Sequence, residues 1–273
     1  MQVHGLWIEG KLSPLELLTI YSFISHGYTF NLWTYHAEFN LIPNQVIVRN
    51  AEEIIPKTQV FAYSNKNQFG HGKGSYAGFS DIFRYRLLFL HGGWWTDMDM
   101  TCLKRLPQES DYFFRANQKT AVGNLMYCPS GSPVMQWCYE KALSTIDAEN
   151  IDWTLPIRIL NEGIMQFRLS SFIQQVSNAD SWLEVSGYLR KKPIPAEYFC
   201  IHWMHEEWRR IGISKDYFPK TSNFFLLAKK YQVPLINSEI HWADKLFFYI
   251  KTSKIYYILI NFFRLHTYYR VSK

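Results

Sequence analysis

GFSDIFRYRLLFLHGGWWTDMDMTCL, residues 78–103, is the stretch that decides the fold. Its apolar side chains recur with the spacing of one helix face and predict a helix over residues 80–91. These side chains are Phe79, Ile82, Phe83, Leu87 and Leu90. The pair Gly92-Gly93 ends the helix, and residues 94–102 are predicted to form a strand. The acidic triplet Asp97-Met98-Asp99 lies in that strand, so an apolar helix leads directly to two carboxylates.

A β-α-β unit is predicted upstream of this stretch. Residues 3–8 have the pattern of a strand. Ser13-Pro14-Leu15-Glu16 is a capping box with proline at the first helical position, so a helix begins there and ends near Gly27. Residues 29–35 then predict a second strand, and residues 46–49 a third. Strand, helix and strand in this order indicate an α/β sheet.

The rest of the chain predicts further elements and a glycine-rich loop. Strands are expected at residues 112–116 and 199–203, and helices at residues 132–143 and 156–167. Residues 65–78 are expected to form a mobile loop that lacks the G-x-x-x-x-G-K-[ST] order of a phosphate-binding loop. With no internal repeat and no clean linker, we predict one domain over residues 1–244, with helical insertions.

Composition limits the classes of function. The 273 residues are 48% hydrophobic and 19% charged, which excludes a disordered chain, and the net charge of +6 favours anionic partners. No zinc-finger or RNA-binding signature is present, so nucleic acid is not an expected partner. The aromatic content of 18% suits a packed core as well as stacking on bases and sugar rings.

Cysteine usage and the N-terminal sequence predict a cytosolic location. The four cysteines are widely spaced and form no C-x-x-C pair, which argues against a cysteine metal cluster or redox motif. The chain begins with a strand-like run that lacks the basic and apolar regions of a signal peptide. No apolar run approaches the ~20 residues of a membrane-spanning helix.

The C-terminal segment, residues 245–273, differs from the rest. It contains six Lys or Arg, no Asp or Glu, and many Phe, Tyr, Ile and Leu residues. Such a helical, basic and aromatic tail is typical of a segment that lies in a membrane interface. A C-terminal helix packed on the core fits the same residues, and the sequence leaves both interpretations open.

The two aspartates of Asp97-Met98-Asp99 are the main chemical signal. At a strand end, side chains two residues apart point to the same side. Two such carboxylates can share a hard divalent cation that also takes water and phosphate oxygens. A solvated turn or a helix cap would explain an isolated Asp-x-Asp equally well, but here the buried-type Trp94-Trp95 pair precedes it.

Asp81 and Arg84 form a second candidate pair. Residues three apart on a helix are neighbours on one face. They could form a simple surface ion pair. In the context of Asp97 and Asp99, Arg84 could instead face phosphate or sugar oxygens, and Asp81 sugar hydroxyls.

The run from Gly78 to Leu103, with the opening Val3-His4-x-x-Trp7, resembles glycosyltransferase family 32, the sugar transferases with a DXD motif. That group includes the yeast initiating α-1,6-mannosyltransferase and bacterial capsule enzymes, and the pattern is also similar to the catalytic core of the clostridial glucosylating toxins. The resemblance implies an α/β, GT-A-like nucleotide-binding fold with a mixed central sheet. It also implies a UDP- or GDP-sugar donor, Mn²⁺ or Mg²⁺, and retention of the anomeric configuration.

The resemblance also implies roles for individual residues. Trp7 would stack on the nucleotide base. Asp81 and Arg84 would hold the sugar and its neighbouring phosphate. Asp97 would contact the ribose or sugar and the metal through water, and Asp99 would bind the metal directly.

The second half of the chain resembles the family only loosely. The late segment His202-Trp203-Met204-His205-Glu206-Glu207-Trp208 would supply His202 to the metal and place Trp208 over the diphosphate. The alternative is a surface turn with a buried tryptophan. Thr154-Leu155-Pro156 stands where the family has a mid-chain Gly-Pro.

The expected function is metal-dependent transfer of a sugar to an acceptor hydroxyl. The expected setting is surface polysaccharide or lipopolysaccharide synthesis, on a glycan or lipid-linked glycan at the inner face of the cytoplasmic membrane. One alternative is a nucleotide-sugar hydrolase or another metal-dependent phosphate enzyme. Another is a non-catalytic carbohydrate-binding protein.

Overall fold

The computed structural model describes residues 1–36, 39, 41–107, 111–216, 218–234 and 242–261. The strands are β1 (Gln2–Trp7), β2 (Thr29–Thr34), β3 (Ile47–Asn50), β4 (Gly93–Thr96), β5 (Met100–Cys102), β6 (Phe113–Asn117), β7 (Thr120–Cys128), β8 (Ile173–Gln174) and β9 (Cys200–His202). The helices are α1 (Pro14–Ser25), α2 (Ala77–His91), α3 (Pro133–Thr145), α4 (Leu155–Gln166), α5 (Trp182–Arg190), α6 (His205–Ile211), α7 (Asn223–Lys230) and α8 (Trp242–Lys251).

A mixed seven-stranded sheet forms the centre of the molecule, in the order β3-β2-β1-β4-β7-β6-β8. Among the described strands of this sheet, β7 alone runs antiparallel to its neighbours, β4 and β6. The carboxyl ends of β1, β4, β6 and β8 therefore meet at one edge, where α/β sheets bind ligands. The predicted α/β fold with a mixed central sheet is confirmed.

The β-α-β unit forms as predicted. The Ser13 hydroxyl accepts a hydrogen bond from Leu15 N at 3.3 Å, and Glu16 Oε2 accepts one from Ser13 N at 2.7 Å. This capping box starts α1, which is followed by Gly27 with a φ of 80°. The strands β1 and β2 then pair in parallel over their whole length, from Gln2 opposite Thr29 onward.

The predicted strand over residues 94–102 is wrong in one respect, because it breaks at the acidic triplet. β4 ends at Thr96, and β5 belongs to a separate two-stranded sheet with β9. Two backbone hydrogen bonds hold the break: Asp97 N donates to Asn124 O at 2.9 Å, and Trp203 N donates to Asp99 O at 2.9 Å. The break places both aspartates in a turn and brings β9 beside them.

Two hydrophobic cores cover the two faces of the sheet. Trp94 belongs to the core that includes α1, α5 and α7, and Trp95 belongs to the core that includes α2, α3 and α4. This alternation is expected for successive residues of a strand that is buried on both sides. His4 is also buried, and its Nδ1 accepts a hydrogen bond from Trp33 Nε1 at 3.0 Å, as expected for a structural histidine.

The glycine-rich loop is tied to the segment before α4. Asn65 Nδ2 donates to Glu149 Oε2 at 2.7 Å, and Gln68 N donates to Ile151 O at 3.2 Å. Mobility was predicted from the glycines alone. These bonds attach the loop to the body of the protein at two points.

The first of the C-terminal helices crosses the predicted domain boundary at residue 244. Helix α8 runs through residue 244, and residues 254–261 form a further helical segment. In the described part of the chain, no helix has both the length and the apolar character needed to cross a bilayer. Residues 262–273 of the predicted tail lie outside the described residues.

Candidate active site

The carboxyl edge of the sheet opens into a cavity of about 610 Å³. Six of the predicted site residues line it: Trp7, Asp81, Arg84, Asp97, Asp99 and His202. They come from the end of β1, the first turns of α2, the turn after β4, and β9. Residues far apart in the sequence thus meet at the place where the fold favours ligand binding.

Arg84 is the buried cation at the centre of the site. Its Nη2 lies 3.0 Å from Asp81 Oδ1 and 3.3 Å from Asp97 Oδ1, and its guanidinium lies 5.3 Å from the Trp95 ring. Gly123 makes room for this side chain, because a Cβ there would lie 2.5 Å from Arg84 Nη1. The alternative of a simple surface ion pair is therefore wrong.

In each of the two aspartates of the triplet, one carboxylate oxygen accepts a hydrogen bond from the protein. Asp97 Oδ1 accepts a hydrogen bond from Trp95 Nε1 at 2.8 Å. Asp99 Oδ2 accepts one from His205 N at 2.8 Å and lies 3.3 Å from His202 Nε2. Within the described residues, the second oxygen of each carboxylate has no protein hydrogen bond and is left to the cavity.

The three carboxylates of the site differ in pKa. Burial raises the pKa of Asp81 to about 6, against the lowering effect of Arg84. Burial also raises the pKa of Asp97, again opposed by Arg84. For Asp99 burial acts in the same direction, but His202 and the His205 N–H outweigh it and bring the pKa to about 2. Asp99 is thus the most strongly ionised of the three.

His202 lies between two carboxylates. Its Nδ1 is 2.6 Å from Asp180 Oδ1, and its Nε2 faces Asp99. Burial would lower the pKa of His202, but the charges of Asp99 and Asp180 raise it to about 10. The two carboxylates therefore favour the imidazolium form of the ring.

Sequence reasoning missed the residues that support His202. Arg115, which is fully buried, donates to both oxygens of Asp180 at 3.1 and 2.8 Å and to Asn124 Oδ1 at 3.1 Å. Asp180 belongs to the polar run Ser177-Asn178-Ala179-Asp180, which separates β8 from α5. The polar composition of that run predicts a loop. Its position opposite the Asp97–Asp99 turn becomes visible only in the tertiary structure.

The carboxylate oxygens of the site suit a divalent cation whose coordination shell is completed by a bound ligand. Among the residues that the structure describes, no three His, Cys, Asp or Glu side chains form a ready metal cluster. Asp97 and Asp99 still offer one open oxygen each. Mg²⁺ is usually bound by one or two carboxylates together with water and substrate phosphates, and such an incomplete protein shell suits it. His202 would join that shell only after losing its Nε2 proton.

The two predicted tryptophans have different positions. Trp7 lines the cavity, where its Nε1 donates to Gly10 O at 2.9 Å and Lys215 Nζ lies 5.5 Å from its ring. Trp208 is fully buried, and its Nε1 donates to Trp203 O at 2.6 Å. The structure therefore brings Trp7 to the site but not Trp208, as in the alternative interpretation of a buried tryptophan.

The sequence matches a known region of sugar transferases. Residues 25–118 match the family model described as a glycosyltransferase sugar-binding region containing DXD motif. An uncharacterized glycosyltransferase of Acanthamoeba polyphaga mimivirus is 23% identical over 242 residues, which cover 82% of this chain and 90% of that protein. The region matched by the family model, residues 25–118, contains Asp81, Arg84, Asp97 and Asp99.

Two solved structures can be superposed on the chain. The PaToxG glycosyltransferase aligns with a TM-score of 0.43 and 12% identity, covering 93% of this chain and 85% of its own. The apo-form glycosyltransferase GlyE of Streptococcus pneumoniae TIGR4 aligns with a TM-score of 0.44 and 10% identity, covering 90% of this chain and 61% of its own. The family match confirms the resemblance predicted from the sequence motifs, and residues 25–118 are similar to the DXD-type sugar-binding region of glycosyltransferases.

Proposed function

We propose that the protein transfers a sugar from a UDP- or GDP-sugar to an acceptor hydroxyl, with Mn²⁺ or Mg²⁺ held by Asp97 and Asp99. The observation that supports this most strongly is the arrangement of Arg84, which is buried between Asp81 and Asp97 in the cavity that also contains Asp99. A buried guanidinium beside two open carboxylate oxygens suits a diphosphate and its cation together.

Each of these residues contacts a different part of the donor. When bound, the cation neutralises the diphosphate and makes it a better leaving group. Arg84 is fixed by its two carboxylates and stabilises the negative charge that develops on the departing oxygen. Asp81 accepts hydrogen bonds from sugar hydroxyls, and the Trp7 ring stacks on the base at the end of β1. Asp180 and Arg115 orient His202 at the side of the Asp99 carboxylate.

Retention of the anomeric configuration is part of the proposal. An attacking carboxylate must be free to approach the anomeric carbon. In this proposal the open oxygens of Asp97 and Asp99 bind the metal. Asp81 is paired with Arg84, and Asp180 is paired with Arg115 and His202. A front-side reaction, in which the leaving phosphate helps to deprotonate the acceptor, requires no free nucleophile. The anomeric configuration of the product, determined by NMR, tests this.

The donor proposal predicts a metal-dependent thermal shift. We expect the melting temperature to rise with one nucleotide family, UDP- or GDP-sugars, only when Mn²⁺ or Mg²⁺ is present. A ligand that binds only the folded protein at about 100 times its Kd stabilises by about 2.7 kcal/mol. A screen of nucleotide sugars by differential scanning fluorimetry measures it. An equal shift without metal would contradict the role of Asp97 and Asp99, and the release of free sugar in place of a glycoside would indicate a hydrolase.

We also propose a glycan or lipid-linked glycan acceptor at a membrane surface, with the protein working on the cytoplasmic side. Because α8 crosses the predicted boundary at residue 244, we place the start of the membrane-facing segment at Trp242, ahead of the predicted residues 245–273, and the catalytic domain precedes it. Exposed apolar side chains support this, including Trp242 and Ile255, each 72% exposed, and Phe247 at 56%. Lys245 and Lys254 are exposed on the same helices. Aromatic and basic side chains together suit an interface with anionic lipids.

The membrane proposal predicts binding to anionic vesicles. The protein should co-sediment with vesicles that contain phosphatidylglycerol and less with pure phosphatidylcholine. The double variant Trp242→Ser/Phe247→Ser should bind about tenfold more weakly, because both rings leave the interface. Leu143→Ser, at an exposed apolar position on α3, is the matched control and should bind normally. Equal binding of the double variant and the control would contradict the proposal.

A further inference from the structure

One wall of the cavity is built from side chains that the donor proposal does not use. It consists of His71, Trp153, Glu206 and Arg209, and we call it the aromatic wall. We infer that the aromatic wall binds the sugar ring of the acceptor. This inference rests on the proposed function, and it adds the acceptor subsite to it.

The aromatic part of the wall is a cluster around Trp153. The His71 ring lies 5.1 Å from the Trp153 ring at an interplanar angle of 74°, and the Tyr63 ring lies 6.1 Å from it. Phe69 stacks on His71 at 6.1 Å. Trp153 is half-buried and lines the cavity, so part of its surface is open to a ligand. An indole face packs well against the C–H groups of a pyranose ring.

The wall is held in place by the glycine-rich loop. Trp153 N donates to the Gln68 side chain at 2.9 Å. Gly72 adopts a φ of 97°, and a Cβ at this position would lie 3.1 Å from the Trp153 ring. A side chain at this position would be strained by the positive φ and would crowd the indole, so glycine favours the close approach of the loop backbone. The platform is therefore preorganised, which lowers the entropy cost of binding.

The polar part of the wall can recognise hydroxyl groups. Glu206 Oε1 accepts a hydrogen bond from Gly72 N at 3.1 Å and pairs with Arg209 Nη2 at 2.7 Å. Arg209 is 43% exposed and Glu206 20%, so both can still reach a ligand. A carboxylate and a guanidinium beside an aromatic face provide an acceptor and donors for sugar hydroxyls.

The position of the wall favours the acceptor over the nucleotide. Trp7 ends β1, whereas Trp153 precedes α4, which packs on β7. In the sheet order, β1 and β7 lie on opposite sides of β4, the strand that leads to Asp97. A donor with its base on Trp7 and its diphosphate at Asp97 therefore directs its sugar towards the aromatic wall.

Binding of simple sugars tests this inference directly. The probes are the methyl α- and β-glycosides of glucose, galactose, mannose and N-acetylglucosamine, followed by saturation-transfer NMR. We expect at least one glycoside to bind the wild-type protein. Trp153→Ala should weaken that binding by about tenfold, and Trp153→Phe should restore much of it. Glu206→Gln keeps the acceptor for Gly72 N but removes the charge, and it should also weaken binding by about tenfold.

Controls separate this inference from the proposed function. Trp137→Ala, at a tryptophan on α3 that is half-buried like Trp153 but lies outside the cavity, should bind the glycoside as the wild-type protein does. The metal-dependent donor shift should persist in Trp153→Ala. If the donor shift is absent in the wild-type protein, the proposed function fails. If the donor shift is present but no glycoside binds, or Trp153→Ala and Glu206→Gln bind normally, the inference is overturned. Competition between the glycoside and the donor sugar would also overturn it, because the wall would then hold the donor.

Discussion

Asp99→Asn is expected to lower kcat for sugar transfer by at least about 10²–10³-fold, the range seen when one preorganised electrostatic group is removed from an active site. Asp99 is the carboxylate with the lowest pKa of the acidic triplet, and one of its oxygens is open to the cavity. The asparagine side chain keeps the shape and can still accept the hydrogen bond from His205 N, but it removes the charge that attracts the cation. The metal-dependent thermal shift should disappear with the activity. Steady-state transfer and fluorimetry with the donor identified in the screen measure the two effects.

A matched substitution separates charge loss from unfolding. Asp216→Asn makes the same chemical change at an exposed position outside the cavity, and it should leave transfer and the donor shift intact. Asp99→Asn should fold, since its neighbours His202 and Trp203 keep their contacts to Asp180 and to the backbone of residue 99. Full activity of Asp99→Asn would overturn the assignment of the metal to this turn.

The sequence predicted what depends on neighbouring residues. The capping box of α1 and the apolar face of α2 are set within one or two helical turns, and both formed as expected except at Leu90, which is 43% exposed. Asp81 and Arg84 were also found this way, because their spacing on α2 places them on one face. Local sequence patterns predict a helix well where the hydrophobic spacing and the capping residues indicate the same boundaries.

The sequence could not predict what depends on contacts between distant segments. The strand expected over residues 94–102 broke because Asn124 and Trp203 hold the backbone at Asp97 and Asp99. Both partners lie in other elements, so no pattern near the triplet indicates them. The segment around Asp180 carries a loop composition, and its contact with His202 spans 22 residues of sequence. The same limit applies to Trp208, whose burial depends on Trp203, Phe218 and Phe224.

Arg115→Met is expected to lower the free energy of unfolding by about 3–5 kcal/mol, the usual cost of removing one partner from a buried ion pair. Arg115 is fully buried and donates to Asp180, to Asn124 and to Asn178 O at 2.6 Å. Burial would raise the pKa of Asp180, but His202 and Arg115 hold it below its usual value. Without Arg115, His202 is the one cationic partner that the described residues give this carboxylate, and several polar groups lose their donor. Urea unfolding followed by circular dichroism measures the difference.

Two control variants show whether the loss of stability in Arg115→Met comes from the burial of its ion pair. One changes an exposed ion pair, and the other removes both partners of the buried pair. Arg158→Met removes the same side chain from the exposed pair with Asp152, and it should cost at most about 1 kcal/mol. Arg115→Met combined with Asp180→Asn should recover part of the loss, because the double variant no longer buries a carboxylate that lacks its guanidinium. If Arg115→Met costs no more than Arg158→Met, then Arg115 does not stabilise the fold as its contacts indicate. If the double variant is as unstable as the sum of the single variants, then Arg115 and Asp180 act independently, and Asp180 would have to orient His202 without the guanidinium.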